Sequence, residues 1–185
     1  MNEVLQKEIE RIFLNASCPN ALFDTFQIAL KNRISDPFVY QTLLANPALS
    51  KEEITLFAET YCKEFPDNAY EVYYWVGNIL EQNNKPIDRA ENAVKYYKKA
   101  IKAKPERYEP YINMLNLFNY EYDYEFNKTI IKTVDEGLKK VTEKKDLLLK
   151  LADHFRNLGN ESKSKLCIQL ANKDRIKNIN KRNRL

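Results

Sequence analysis

The feature that most constrains this chain is a small–aromatic–small–proline series, Ala93, Tyr97, Ala100 and Pro105, at intervals of four, three and five residues. That spacing puts the first three side chains on one face of a helix and the proline just beyond its last turn. Upstream, residues 69–82 read as another helix with Gly77 in its middle. A mid-helix glycine costs roughly 1 kcal/mol relative to alanine, so it points to a packing reason. The stretch 70–105 is therefore expected to be a helix, a turn, and a second helix that opens at or just after Pro86.

Tyr73, Val76 and Gly77 in the first helix, then Ala93, Tyr97, Ala100 and Pro105 in the second, resemble the tetratricopeptide-repeat pattern. Gly77 to Ala93 is four residues longer than the family spacing, which puts an insertion in the polar turn from Gln82 to Arg89. One step of about 34 residues further on, Tyr111, Met114, Leu115 and Phe118 take the helix A positions, with Leu115 where a small residue is usual. Ile130, Val134 and Gly137 follow in helix B, after a short insertion in the turn Tyr120 to Glu125. The next step needs no insertion and brings Leu148, Leu151, Ala152 and Phe155, then Gly159 in the turn, then Ser164, Ile168 and Ala171. The resemblance implies an all-α fold, a right-handed superhelical α-solenoid of antiparallel helix pairs, with about three repeats over 70–172.

Upstream the pattern fades. Phe38 to Asn46 and Ile54 to Glu64 read as a helix pair closed by Pro66, with Ser50 and Glu53 forming a capping box. Before it, Val4, Leu5, Ile9, Ile12 and Phe13 mark one amphipathic helix, and Leu22, Phe23, Phe26, Ala29 and Leu30 a second, separated by Cys18-Pro19. The expected organisation is residues 1–68 as N-terminal helices forming a degenerate repeat or cap, 69–172 as TPR-like repeats, and 173–185 as a basic C-terminal tail or helix extension.

A chain of 185 residues suits one elongated helical array and leaves little room for a separate catalytic domain. Cys18, Cys62 and Cys167 are odd in number and far apart, which gives neither a disulfide framework nor a zinc site and points to a reducing compartment. The start MNEVLQKEIERIF holds acidic residues and no apolar run of secretory length, so the expected location is cytoplasmic, with no membrane partner. The net charge of +4 is uneven. Lys173, Arg175, Lys177, Lys181, Arg182 and Arg184 stand against Asp174 alone, so the tail carries +5 and the rest about −1. Nucleic-acid contact, the alternative function, would concentrate there, although the tail lacks interleaved aromatics and its cations also suit a helix C-terminus.

No catalytic constellation emerges. His154 is the single histidine, and its neighbour Asp153 points about 100° away around the helix. Phosphate loops, GxSxG and HExxH are missing from the sequence, and Glu52-Glu53 and Glu121, Asp123 and Glu125 read as solvated turns rather than a calcium loop. The expected protein is thus not an enzyme and needs no cofactor. Aromatics are the informative class, because tyrosines beyond the repeat positions can bury a ring and still offer a hydroxyl to a partner.

The family geometry implies a concave wall lined by helix A. Counted in phase with Gly77, that wall takes Glu71, Tyr74, Asn78, Glu81 and Gln82, then Glu109, Ile112, Asn116, Asn119 and Tyr120, then Asp146, Leu149, Asp153, Arg156 and Asn157. Amide side chains there can serve the main chain of an extended peptide. In cochaperones that clamp a C-terminal carboxylate, positions matching Asn78, Asn113 and Lys150 are used, but here Tyr74 and Asp146 replace two lysines. A mildly acidic groove is therefore expected to take a basic or neutral segment. The resulting expectation is a non-enzymatic protein-protein interaction module, an adaptor or scaffold holding a peptide or helix of another protein, with self-association into a homo-oligomer as a further alternative.

Overall fold

A computed structural model describes the backbone of residues 2–82 and 86–182, and the side chains of residues 3–82, 88 and 90–173. Among the described residues there are ten α-helices and no strand. They are α1 (Asn2–Asn15), α2 (Pro19–Lys31), α3 (Pro37–Leu44), α4 (Lys51–Glu64), α5 (Ala69–Leu80), α6 (Pro86–Ala103), α7 (Glu109–Asn116), α8 (Tyr124–Lys140), α9 (Lys145–Asn157) and α10 (Glu161–Arg182). Residues 83–85, the centre of the expected insertion, lie outside the described residues.

The helices group into two compact units, Met1–Ala103 and Lys104–Leu185. In the first, α1 packs on α2 and α3, and α5 on α3, α4 and α6. In the second, α7 packs on α8 and α9, and α9 on α10. Odd-numbered helices thus form the row within each unit, each with its even-numbered partner behind it. This is helix-pair stacking, and it includes α1 and α2, where the repeat pattern had faded.

Local chemistry explains the boundaries. Asp36 accepts the Phe38 N–H at 3.0 Å and Pro37 opens α3. Ser50 and Glu53 make the reciprocal capping box on α4. Asp123 accepts from Glu125 and Phe126 at the start of α8. Helix α9 ends at Gly159, whose φ of +70° suits glycine, while Asn160 N–H reaches Phe155 carbonyl at 2.8 Å and Gly159 N–H reaches Arg156 carbonyl at 2.9 Å. The same motif ends α2 without a glycine. Arg33 takes φ 55°, and Ile34 N–H bonds the Ala29 carbonyl while Ile34 itself is buried.

Burial follows the repeat phase. Val76, Gly77, Ala93, Tyr97 and Ala100 are buried, as are Tyr111, Met114, Leu115, Ile130, Val134, Gly137, Leu148, Leu151, Ala152, Ser164 and Ala171. Two expectations fail. Val4 is 74 % exposed, and Phe23 is exposed although its ring stands 6.2 Å from that of the buried Phe57. The core of α1–α4 is a cluster of rings around Tyr40, which meets Phe26 edge-on at 5.9 Å and Tyr61 at 4.2 Å. The Tyr40 hydroxyl donates to the Ile34 carbonyl at 2.7 Å, so its polar end is satisfied inside the core.

Candidate functional site

The expected wall residues of the first unit sit on or just after α5, where Gln82 is exposed and the other four are half-buried, with Tyr74, Asn78 and Glu81 joined to α6. The Tyr74 ring lies parallel to Tyr70 at 6.0 Å and 6.1 Å from Tyr97. The Tyr97 hydroxyl is 2.8 Å from Asn78 Oδ1 and 2.7 Å from Glu81 Oε2, and with one proton to give it serves one oxygen at a time. Asn78 and Glu81 therefore orient a buried ring as well as forming surface. Glu71 lies on the same helix, also half-buried.

In the second unit α7 stops at Asn116, a turn earlier than the repeat count implies. Leu117 and Phe118 turn their N–H groups to carbonyls three residues back, and Asn119 and Asn127 clasp the chain that follows. Asn127 Nδ2 donates to the Asn119 carbonyl at 2.7 Å, and Asn119 Oδ1 accepts from Glu121 N–H at 3.0 Å. Asn119 and Tyr120 consequently belong to a turn and do not continue helix A.

That turn and helix α9 enclose a recess of about 230 Å³. Asn116, Tyr120, Asp153 and Asn157, all expected on the wall, line it together with Phe118, Lys150 and His154. Ile112, Asn113, Leu149 and Arg156 are not among its lining residues, although Arg156 holds Asp153 at 3.0 Å. The floor is aromatic, with His154 edge-on to Phe118 at 4.7 Å and close to Phe155 at 5.8 Å. The rim offers two amides and the Lys150 ammonium, which has no ion-pair partner among the described residues.

The sequence offers His154 no aligned carboxylate partner, and the structure puts it at 9 % exposure. Its Nε2 is sealed from solvent and makes no hydrogen bond. Burial, reinforced by the Lys150 cation, holds the imidazole below its ordinary value of 6.5. Asp153 is engaged with Arg156, so His154 has no carboxylate to orient it as a base. Leu147, Leu151 and His154 recur at four and three residues, and that core spacing was the available signal.

The sign of its linkage follows. The unfolded chain takes up a proton near the ordinary histidine range while the folded one still refuses it, so stability present above that range is lost as pH falls towards the folded value. Because His154 is the single histidine, its ring protons titrate without overlap in an NMR experiment. The expected midpoint is below 6.5, and His154→Phe is expected to flatten the stability profile between about pH 7.5 and 5.5. A midpoint at or above 6.5 would contradict the sealed environment.

A second depression, about 720 Å³, lies beside the first on the same unit. The α7–α8 turn and the outer face of α8 form it, and it shares Phe118 and Tyr120 with the recess. The aromatic surplus of the sequence surfaces here, since Tyr120 is 69 % and Tyr124 72 % exposed.

Other sequence candidates have local roles. Glu53 belongs to its capping box, Asp123 caps α8, and Glu125 pairs with Lys128 at 3.1 Å. Burial pushes the Cys62 thiol up to about 12, which keeps it protonated and a poor nucleophile. Lys173 is exposed on α10, while the side chains of Arg175, Lys177, Lys181 and Arg182, and the whole of Arg184, lie outside the described residues. Among the described residues no cluster of three or more His, Cys, Asp or Glu side chains is placed to hold a metal, and no helix is long and apolar enough to cross a membrane.

No protein-family model matches the sequence, and no curated protein matches it either. Among solved structures, the crystal structure of MamA superposes with a TM-score of 0.53, covering 86 % of this chain and 90 % of that chain at 11 % identity. At that identity the likeness speaks for the fold alone. It agrees with the helix pairs: among the described residues the chain is all-α, with a TPR-like helical solenoid fold.

Proposed function

We propose that this chain is a non-enzymatic interaction module, a cytoplasmic adaptor or scaffold that needs no cofactor and holds a peptide or helix of another protein against its helix A side. The observation that carries this reading is the recess between the α7–α8 turn and α9. Asn116 of α7 and Tyr120 of the α7–α8 turn converge with Asp153 and Asn157 of α9 on one cavity. Its amides can donate to and accept from a peptide backbone, and its aromatic floor can take an apolar side chain. A recess with such a rim and no oriented base suits recognition better than turnover.

Affinity purification from the native cells, run in parallel with the full chain and an Asn116→Ala/Asn157→Ala variant, tests the reading. Both residues are exposed, so the variant is expected to melt as the parent does. The expected outcome is loss of one protein from the variant's eluate with the thermal midpoint unchanged. Recovery of the same proteins by both chains would move the contact off this recess, and turnover of a metabolite by the purified protein would overturn the reading itself.

A further inference from the structure

We infer that the aromatic groove on the outer face of α8 is a second docking surface, and that its occupant is an acidic, apolar-anchored segment of a partner protein. This rests on the reading of the chain as a protein-binding module, but it uses another face. Tyr124, Lys128, Ile131 and Asp135 recur at intervals of four, three and four along α8 and, with Lys132 four residues after Lys128, line the groove. Ile130, Val134 and Gly137, on the opposite side of the same helix, are buried in the core. The facing wall is Tyr120 and Tyr122 of the α7–α8 turn, the segment that is longer than the repeat requires.

That wall is held in place before any partner arrives. The Asn119–Asn127 clasp and the Asp123 cap fix the turn, and Phe118 meets Tyr120 edge-on at 5.3 Å. Two largely exposed tyrosine rings beside a half-exposed Ile131 present an apolar surface that an isolated chain would be expected to cover. Tyrosine is also the residue type that anchors interfaces, with ring area and a hydroxyl in one side chain.

Charge selects the occupant. Two lysines one turn apart, Lys128 and Lys132, line the groove against a single carboxylate, Asp135, which Lys139 outside the groove holds at 3.8 Å. Lys132 has no ion pair among the described residues, and the Lys128–Glu125 pair is exposed and easily exchanged. The unpaired Lys132 favours a carboxylate next to the apolar anchor, and it disfavours this chain's own tail, which carries +5. It also reverses the preference for basic segments expected of the helix A wall.

Fluorescence anisotropy of the full chain with three labelled synthetic peptides tests the inference. One peptide carries leucine and phenylalanine anchors among glutamates, the second replaces every glutamate with lysine, and the third replaces every anchor with serine. The acidic apolar peptide is expected to bind at least about tenfold more tightly than either relative, and to weaken as salt is added. Lys132→Glu and Ile131→Ser, both at exposed positions, are each expected to reduce its affinity by about tenfold while the thermal midpoint stays put. Equal or tighter binding of the lysine peptide, no binding of any peptide, or affinities unmoved by the two variants would overturn the inference. So would sedimentation showing self-association that Ile131→Ser abolishes, since the occupant would then be a second copy. If the inference fails while Asn116→Ala/Asn157→Ala still loses its partner, the interaction module stands and only this surface falls.

Discussion

Replacing Gly77 with valine is expected to destabilise the protein by about 3 kcal/mol, and with alanine by about 1–2 kcal/mol, although both substitutions improve helix propensity. A Cβ at this position would meet Tyr97 Cε1 at 2.5 Å and Cδ1 at 2.6 Å, well inside van der Waals contact. The ring has nowhere to go. Tyr97 is fully buried, and its hydroxyl is tied to Asn78 and Glu81 on the opposite helix. For a chain of this length the valine change corresponds to a drop of roughly 6–12 °C in thermal midpoint. Trp75, the single tryptophan, lies in the same helix and reports the transition by fluorescence. A double-mutant cycle identifies the cause: in a Tyr97→Leu background the alanine substitution is expected to cost almost nothing, because the clash is with the ring. If Gly77→Ala were neutral in the parent chain, the close approach of α5 and α6 would be wrong.

The second unit uses the same device with the roles exchanged. Gly137 on α8 receives Tyr111 from α7, and a Cβ there would stand 2.4 Å from the ring. Contacts of this kind explain why the helix pairs from α5 onward were legible. A glycine or alanine facing a tyrosine leaves a mark at a fixed period, and Gly77, Ala93, Tyr97, Ala100, Gly137 and Ala171 all fall in phase and are all buried. In α1–α4 the same architecture is built from Phe13, Phe26, Tyr40, Phe57 and Tyr61. The small residues buried among these rings, Ala29 and Ala58, stand out of the repeat phase, so the pairs form without the mark. The left-handed turn at Arg33 escaped for a related reason, since the buried Ile34 behind it enforces a conformation that glycine usually announces.

The site was legible only where helix geometry persists. Asn116, Asp153 and Asn157 were assigned to one wall by counting along helices, and they do share a cavity. Tyr120 reaches that cavity by another route, from a turn whose direction depends on the Asn119–Asn127 clasp, an interaction across eight residues that no periodicity encodes. Lys150 and His154 are one helical turn apart and meet in the recess. Motif reading weighs His154 against its sequence neighbour Asp153, whereas the rings beside it are Phe118 and Phe155.

Asn46→Ala is expected to be the other severe substitution, at about 3 kcal/mol, in a region where the repeat pattern said nothing. Asn46 follows α3, is 6 % exposed, and spends both amide hydrogens on the end of α1, at 2.8 Å from the Phe13 carbonyl and 3.0 Å from the Ala16 carbonyl. Its Oδ1 accepts from Ala48 N–H at 2.8 Å. The last carbonyls of a helix have no intrahelical donor, so this one amide caps α1 and fixes the α3–α4 connection at once. Alanine would strand the buried Phe13 carbonyl and leave the half-buried Ala16 carbonyl and Ala48 N–H without this partner, and a stranded buried group costs about 1–3 kcal/mol before any rearrangement or entering water relieves it. Asn46→Asp keeps the shape and loses the donors, placing a carboxylate against two carbonyl oxygens, so at neutral pH it is expected to be at least as damaging. Asn116→Ala, an exposed asparagine, serves as the control and is expected to shift stability by less than about 0.5 kcal/mol. Urea unfolding followed by Trp75 fluorescence and by helical circular dichroism decides the matter. A loss at Asn46 no larger than at Asn116 would mean that water replaces the amide, and that α1 is joined to α3 by ring packing alone.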